Sequence, residues 1–227
     1  VSYIIKGDSS GNKKYLGGYD DGGHYQPDLP VSLILPSNTG CLPCLASYDE
    51  GGEEYVYLDQ PFALINSPDL DTLFLGEKDQ LELIYKMVDG KDELITKSVI
   101  FSGTSYVSNH VFSIEANGAD LPRNIELVWD GGLRPAEEKS EEDIQYSSGI
   151  ISQAGEIDDI IMKGPDNNVE RKIYRGQTEW VAVRTKYFIS AILVDIPGSF
   201  AILSAKNISF GVRKHTPLYS AGIGFPS

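Results

Sequence analysis

The sequence predicts an all-β chain of two large antiparallel sheets with few or no helices, and three observations lead there. Short runs rich in Val, Ile, Tyr and Phe recur along all 227 residues. The 23 glycines and 12 prolines are spread through the chain and separate those runs, as turns separate strands. No stretch of ten or more residues repeats apolar side chains at the 3.6-residue period of a packed helix.

The first candidate strand is 31–35, Val-Ser-Leu-Ile-Leu after Pro30, and the next is 54–58. In 81–87, Leu81, Leu83, Tyr85 and Met87 fall on one face and Glu82 and Lys86 on the other, the two-residue period of a half-buried strand. Asp89-Gly90 is a strong signal for a tight hairpin into 94–101. With 106–114 added, residues 81–114 form a predicted three-stranded meander. Ile125, Leu127 and Trp129 share a face of a further strand. Residues 136–146 come nearest to a helix, but Ile144 and Tyr146 are their only sizeable apolar residues beside Glu137, Glu138, Glu141, Glu142 and Asp143, which predicts a solvated loop or a short exposed helix.

Strands are also predicted at 157–162, 172–174, 180–194 and 200–204, with Ile208, Phe210 and Val212 on one face of a last one. Within 180–194, Arg184 and Lys186 lie opposite Val181, Val183, Tyr187 and Ile189. Alternation stops after Tyr187, which points to burial on both sides or a bulge, with Trp180, Tyr187 and Phe188 as core aromatics. Eleven such runs exceed a small sandwich. No repeat, low-complexity linker or composition shift divides the chain, so 1–227 is expected to be a single domain.

The chain is long enough to bury one sizeable core. Nothing approaches the ~18 consecutive apolar residues that cross a bilayer, since the longest apolar stretch, 188–194, is seven residues and includes Ser190. A start at Val1 without a leader, and an end at Gly222-Ile-Gly-Phe-Pro-Ser227 without a cap, are expected of a piece of a longer protein. The net charge is −14, from 33 acidic and 19 basic residues. Such a surface repels phosphate, which disfavours nucleic acid and anionic lipid headgroups and leaves a basic protein partner open.

Cys41-Leu-Pro-Cys44 holds both cysteines. The spacing admits a local disulfide, a redox pair or half of a metal site. Redox chemistry needs the first thiol at a helix N-terminus, and no helical pattern follows Cys44. A zinc site needs two more ligands, and His24, His110 and His215 are scattered. His24 lies in the loop-like Tyr19-Asp-Asp-Gly-Gly-His-Tyr25, whereas His110 shares a face with Tyr106, Phe112 and Ile114 and reads as a core histidine. Asp20-Asp21, Glu53-Glu54 and Asp158-Asp159 are adjacent acids, which in a strand point to opposite faces. Asp166-Asn-Asn168 after Pro165 is a turn without the spacing of a calcium loop. GxSxG, HExxH and P-loop motifs are missing. No catalytic, cofactor-binding or metal-binding residue is therefore assigned, and no enzyme is expected. Tyr15, Tyr19, Tyr25, Tyr48, Tyr55 and Tyr57 crowd the first quarter, a pattern that suits an adhesin-like contact surface and equally suits half-buried strands.

Trp180-Val-Ala-Val-Arg-Thr-Lys-Tyr-Phe-Ile-Ser-Ala191 closely resembles the W-(V/I)-A-x-x-x-x-Y-F-x-(A/S)-A signature of the large periplasmic domain of YidC-type membrane protein insertases. Lys97, Val99, Phe101 and Tyr106 resemble the K-x-(Y/V)-x-F-x-x-x-x-Y strands of that family, and Trp129-Asp-Gly-Gly-Leu-Arg134 its W-x-x-G-L turn. Residues 205–212 resemble its last strand and Pro30-Val-Ser-Leu-Ile34 an early one. The family's opening strand with its T-x-x-G turn is not found, and 38–52 with the cysteine pair matches nothing in it.

The resemblance implies a β-supersandwich of two large twisted antiparallel sheets, at the bacterial inner membrane and facing the periplasm. It implies a docking or chaperone-like role beside the Sec translocon, with Sec accessory subunits and nascent membrane proteins as partners and no cofactor. Supersandwiches also occur in sugar-processing proteins, so the alternative is a carbohydrate-binding or sugar-epimerase-like protein with a Glu and a His as base and acid.

Overall fold

The computed structural model describes residues 15–35, 42–48, 55–58, 62–68, 73–88, 94–115, 122, 124–138, 140–162, 170–211 and 213–226. The elements in chain order are β1 (Leu16–Tyr19), β2 (Tyr25–Pro30), β3 (Cys44–Tyr48), β4 (Tyr55–Tyr57), β5 (Ala63–Leu64), β6 (Gln80–Val88), β7 (Leu94–Ser102), β8 (Ser108–Glu115), β9 (Asn124–Trp129), α1 (Ser140–Tyr146), β10 (Ser148–Gln153), β11 (Glu156–Ile160), β12 (Glu170–Arg184), β13 (Ile189–Phe210) and β14 (Arg213–Pro226). The fold is all-β. An eight-stranded sheet runs β11-β10-β12-β13-β14-β9-β3-β4, a four-stranded sheet runs β5-β6-β7-β8, and β1-β2 form a ribbon. The pairings set out below are antiparallel throughout. The chain divides into two compact units, residues 1–46 with 124–226 and residues 47–123.

In the larger unit, β12, β13 and β14 form the central ladder. Cross-strand partners share a face, and Ile151–Val181–Ile192, Leu203–Ala221 and Ala201–Ile223–Leu127 line up across the strands. All of these except Leu127 are buried, in one cluster with Trp129, Leu133, Tyr219 and Met162. Small residues alternate with large ones here because sheet side chains interdigitate at close-packed density. Phe200 lies over Gly224, where an added Cβ would meet the ring at 2.0 Å.

The predicted strand 180–194 is instead two strands and a turn. β12 ends at Arg184, β13 begins at Ile189, and Arg184 pairs with Ile189. Thr185 closes the turn: its N–H donates to the Phe188 carbonyl at 2.8 Å and its hydroxyl accepts from the Phe188 N–H at 3.3 Å. Thr-Lys-Tyr-Phe contains none of the usual turn residues, so a side-chain hydroxyl supplies what Gly or Asn usually does. The loss of alternation after Tyr187 marks this turn, not a two-sided burial. Residues 172–174 belong to the same strand as 180–184, with register shifts between Arg175 and Trp180. Residues 200–204 and 208–210 likewise belong to β13.

Further differences concern the ends. Residues 31–35 form one bridge at Ser32 rather than a strand, although Val31, Ile34 and Leu35 are buried. The segment from Arg213 to Pro226, where no strand was predicted, is the largely buried strand β14, hidden from pattern reading by its Gly, Ala and Ser. β1, β2, β3, β5 and β10 were also not anticipated, whereas 136–146 does contain a short helix, α1. The Asp89-Gly90 hairpin, Val212 and Asp166–Asn168 lie outside the described residues.

Arg134 ties the ribbon to the sheet. Gly131 and Gly132 take φ of 122° and 61°, conformations that favour glycine. The Trp129 indole N–H donates to the Gly132 carbonyl at 3.0 Å, closing the turn. Arg134, 5% exposed, then donates to the Tyr19 carbonyl at 2.9 Å and to Asp21 at 2.8 Å, with its guanidinium 5.9 Å from the Phe210 ring centre. Its own N–H donates to the Leu33 carbonyl at 2.8 Å. Tyr19, Leu35, Phe210 and Leu218 form a second buried cluster beside it. The ribbon turn also touches the β13–β14 turn, since a Cβ on Gly23 would lie 2.3 Å from the Gly211 Cα.

In the smaller unit the expected meander is present. Met87–Ile95–Ile114, Leu83–Val99–His110 and Tyr85–Lys97–Phe112 are cross-strand rows, so Leu83, Tyr85 and Met87 do share a face. The Asn66 side chain extends the β5 edge, donating to the Glu82 carbonyl at 2.8 Å and accepting from the Ile84 N–H at 2.7 Å.

Two substitutions test this packing by urea denaturation. Gly224→Ala is expected to lower stability by about 2 kcal/mol, because the Phe200 ring must leave its rotamer. Arg134→Ala is expected to cost about 3 kcal/mol, because it strands the Tyr19 carbonyl and opens a void under Phe210.

Candidate functional site

In a chain expected to dock partners, the candidate site is a surface. The four strands β11, β10, β12 and β13 bury one face through Ile151, Val181 and Ile192. Their other face carries the row Ile157–Ser152–Trp180–Leu193 and the row Ser148–Arg184–Ile189. Ile157 is 69% exposed, Ile189 58% and Leu193 74%, with Trp180 half-buried among them. Between them on the same face Ser148, Ile150, Ser152 and Ala182 are buried and Asp159 stands exposed beside Ile157, so the exposed apolar side chains are confined to β11 and β13.

Arg184 and Arg175 border this group. Arg184 donates from Nε to the Ser148 hydroxyl at 2.8 Å. Arg175, itself exposed, pairs with Phe200, whose neighbour Ala201 is in the buried cluster on the opposite face. Among the described residues neither arginine has a carboxylate within ion-pair distance.

At the turn, Lys186 pairs with Glu142 on α1 and lies 4.8 Å from the Tyr187 ring centre and 6.0 Å from that of Tyr146. The hydrogen bond to Glu142, then one to Tyr187, raises the Lys186 pKa. Tyr187 is 61% exposed, which corrects its reading as a core aromatic, and Ile189 is open as well. Phe188 does pack against the core, and its ring meets that of Tyr15 edge-on at 6.0 Å.

The remaining candidates do not converge on a site. Cys44 is fully buried on β3 and disulfide-bonded, while Cys41, the only other cysteine, lies outside the described residues. His24 sits on the β1–β2 turn, 3.5 Å from Asp20. His215 is exposed on β14. Asp158 and Asp159 face opposite ways on β11, and Asp158 pairs with Lys172 at 2.6 Å. That bond lowers the Asp158 pKa and, with help from Tyr174, raises Lys172 to about 12. An open depression of about 520 Å³ beside them is lined by Asp159, Glu170, Arg171 and Lys172 with Ile160 and Ile161, as many bases as acids, so neither ion sign is favoured. Glu53 and Glu54 lie outside the described residues. Tyr19 is in the core, Tyr25 half-buried and Tyr15 at the surface, and the side chains of Tyr48, Tyr55 and Tyr57 lie outside the described residues. Among the described residues there is no group of three or more potential metal ligands, and no helix is long and apolar enough to cross a membrane.

Residues 67–223 match the family model of the YidC periplasmic domain. The chain belongs to this family. It is similar to proteins named membrane protein insertase YidC from Prosthecochloris aestuarii, at 25% identity over 71% of this chain and 29% of that protein, and from Chlorobium phaeovibrioides, at 27% over 78% and 30%. A third, from Chlorobium limicola, is 30% identical over 62% of this chain and 28% of its own length. The chain thus spans less than a third of the relatives it matches. As a YidC periplasmic domain, it keeps the whole β12–β13 hairpin and the Trp129–Arg134 turn inside the matched stretch, whereas Cys44 and the ribbon fall outside it.

His110 on β8 is half-buried on the face shared with Phe112 and Ile114, but Tyr106 is 89% exposed and not on that face. His110 Nε2 bonds the Ser108 hydroxyl at 2.8 Å, while Nδ1 is buried with no hydrogen-bond partner among the described residues. Desolvation, with repulsion from Lys97, lowers its pKa to about 4. The unfolded chain therefore binds this proton more readily than the folded one. Stability from this group is complete above pH ~6.5 and is lost as pH falls toward 4. Urea midpoints across that interval should decline, and His110→Phe should flatten the decline.

Proposed function

We propose that this chain is the periplasmic domain of a membrane protein insertase in the bacterial inner membrane, assisting insertion and folding of inner-membrane proteins. The family match across 67–223, with relatives named as insertases, carries this reading. The domain works by contact and not by covalent chemistry, docking Sec accessory subunits or segments of nascent membrane proteins. Residues 1–227 act as one periplasmic domain within the longer parent. The exposed side chains of Ile157, Tyr187, Ile189 and Leu193 support the docking role, because exposed apolar groups gain free energy when something covers them. The carbohydrate reading has no such support: among the described residues the histidine–carboxylate ion pair is His24–Asp20, on an exposed turn.

Depletion of the membrane-embedded parent protein is expected to slow insertion of an inner-membrane reporter. A photo-crosslinking residue at Tyr187 should trap the reporter during synthesis, or a Sec accessory subunit. Unchanged insertion on depletion would remove the insertase reading. Adducts with neither class would remove the docking role.

A further inference from the structure

We propose that the outer edge of β8 accepts an extended, basic polypeptide segment as an added strand. The inference deepens the docking role above and rests on it for its setting.

The edges of the two sheets are not alike. A strand at a sheet edge offers unpaired N–H and C=O groups to an extended chain, and proteins usually blunt it. β5 is two residues long, and the Asn66 side chain takes up the next carbonyl and N–H of β6. β4 has three residues. β11 has five, and its Glu156, Asp158 and Asp159 would lose water beneath an added strand. β8 has none of these devices. It runs eight residues beside β7 without a register shift, from Ser108 opposite Phe101 to Glu115 opposite Leu94. It contains no Pro, Gly, Lys or Arg, and its one carboxylate, Glu115, is terminal. Among the described residues nothing pairs with its other side.

Charge selects the occupant. Residues 47–123, the unit that holds β8, carry 15 acidic and 5 basic residues, a net −10 out of the chain's −14. A second copy would set −10 against −10, and an acidic strand or anionic lipid meets the same repulsion. A segment bearing Lys or Arg is drawn in.

The two faces of β8 fix the pattern of that segment, because cross-strand neighbours share a face. Phe112 and Ile114 end the rows Tyr85–Lys97–Phe112 and Met87–Ile95–Ile114, in which Met87 and Ile95 are buried. Both are only half-buried, so apolar side chains on an added strand would cover them. Asn109, Val111, Ser113 and Glu115 are exposed on the opposite face, where Glu115 favours a cation. Of the lysines on this sheet, Lys97 lies over the Phe112 ring on the apolar face. Lys86 is on the exposed face but three strand spacings from the added strand, about 14 Å and beyond the screening length of about 8 Å. The occupant is therefore a segment of about eight residues, roughly 26 Å long, with apolar and basic side chains in alternation.

The test uses the 227-residue chain and three fluorescent peptides. One alternates Val with Lys, one alternates Val with Glu, and the third is the Val–Lys sequence N-methylated at every residue, which keeps its charge and removes its backbone donors. Binding is read by anisotropy and its place by backbone hydrogen exchange. The Val–Lys peptide is expected to bind about tenfold more tightly than either of the others, with the gap to the Val–Glu peptide narrowing as salt is added. It should slow exchange within residues 108–115. Val111 is 56% exposed, and Val111→Lys should weaken binding about fivefold. Circular dichroism and urea midpoints check that the variant folds.

Equal affinity for the Val–Glu or the N-methylated peptide overturns the proposal, as does binding indifferent to Val111→Lys. So does protection confined to residues outside 108–115, or a dimer of the chain alone that Val111→Lys abolishes in sedimentation. If insertion depends on the parent protein but the peptides fail, this inference falls and the insertase reading stands. If the peptides behave as expected while insertion is independent of the protein, the reverse holds.

Discussion

The larger unit depends on the register of β13. Its 22 residues pair with β12 along one edge and with β14 along the other. Side chains alternate across a sheet with period two, so a one-residue slip would turn Ile192, Ala201, Leu203 and Ala205 out of the core together. The contact between Phe200 and Gly224 also opposes a one-residue slip, which would set the ring against Ile223 or Phe225. Once this ladder is set, the turn falls at Thr185–Phe188, and Trp180 comes level with Leu193.

The Arg134 knot secures the same unit from a second direction. Burying a guanidinium is costly unless its donors are used. Here the two terminal nitrogens reach a carbonyl on β1 and a carboxylate on the ribbon turn, Nε has no partner among the described residues, and the flat group lies against Phe210. The Trp129–Arg134 turn therefore has a structural role. Trp129 closes the turn that aims Arg134, and neither side chain belongs to the open face.

The same strands that bury Ile151, Val181 and Ile192 on one side expose Ile157, Ile189 and Leu193 on the other. Apolar side chains on both sides of a sheet are expected where both sides are covered. The hairpin that presents Tyr187 and Ile189 is anchored by the pairing of Lys186 with Glu142 on α1.

Much of this was legible in the residues alone. Period-two runs at 81–87, 94–101 and 125–129 determined strands, and the ordered Trp129, Lys97 and Trp180 motifs determined the family. The sparse apolar pattern of 136–146 determined that any helix there would be short and exposed. What the sequence hid has a common physical cause: burial and turns set by distant contacts. β14 is buried although it is rich in Gly, Ala and Ser, because the large side chains filling its space belong to β13 and β9. The turn at 185–188 carries no turn residue, because Thr185 completes it through a side-chain hydrogen bond. Tyr187 and Leu193 look like core residues in a linear reading. Only the tertiary fold decides that nothing in the described chain covers them, since which face of a two-sided apolar strand meets solvent depends on what packs against the sheet.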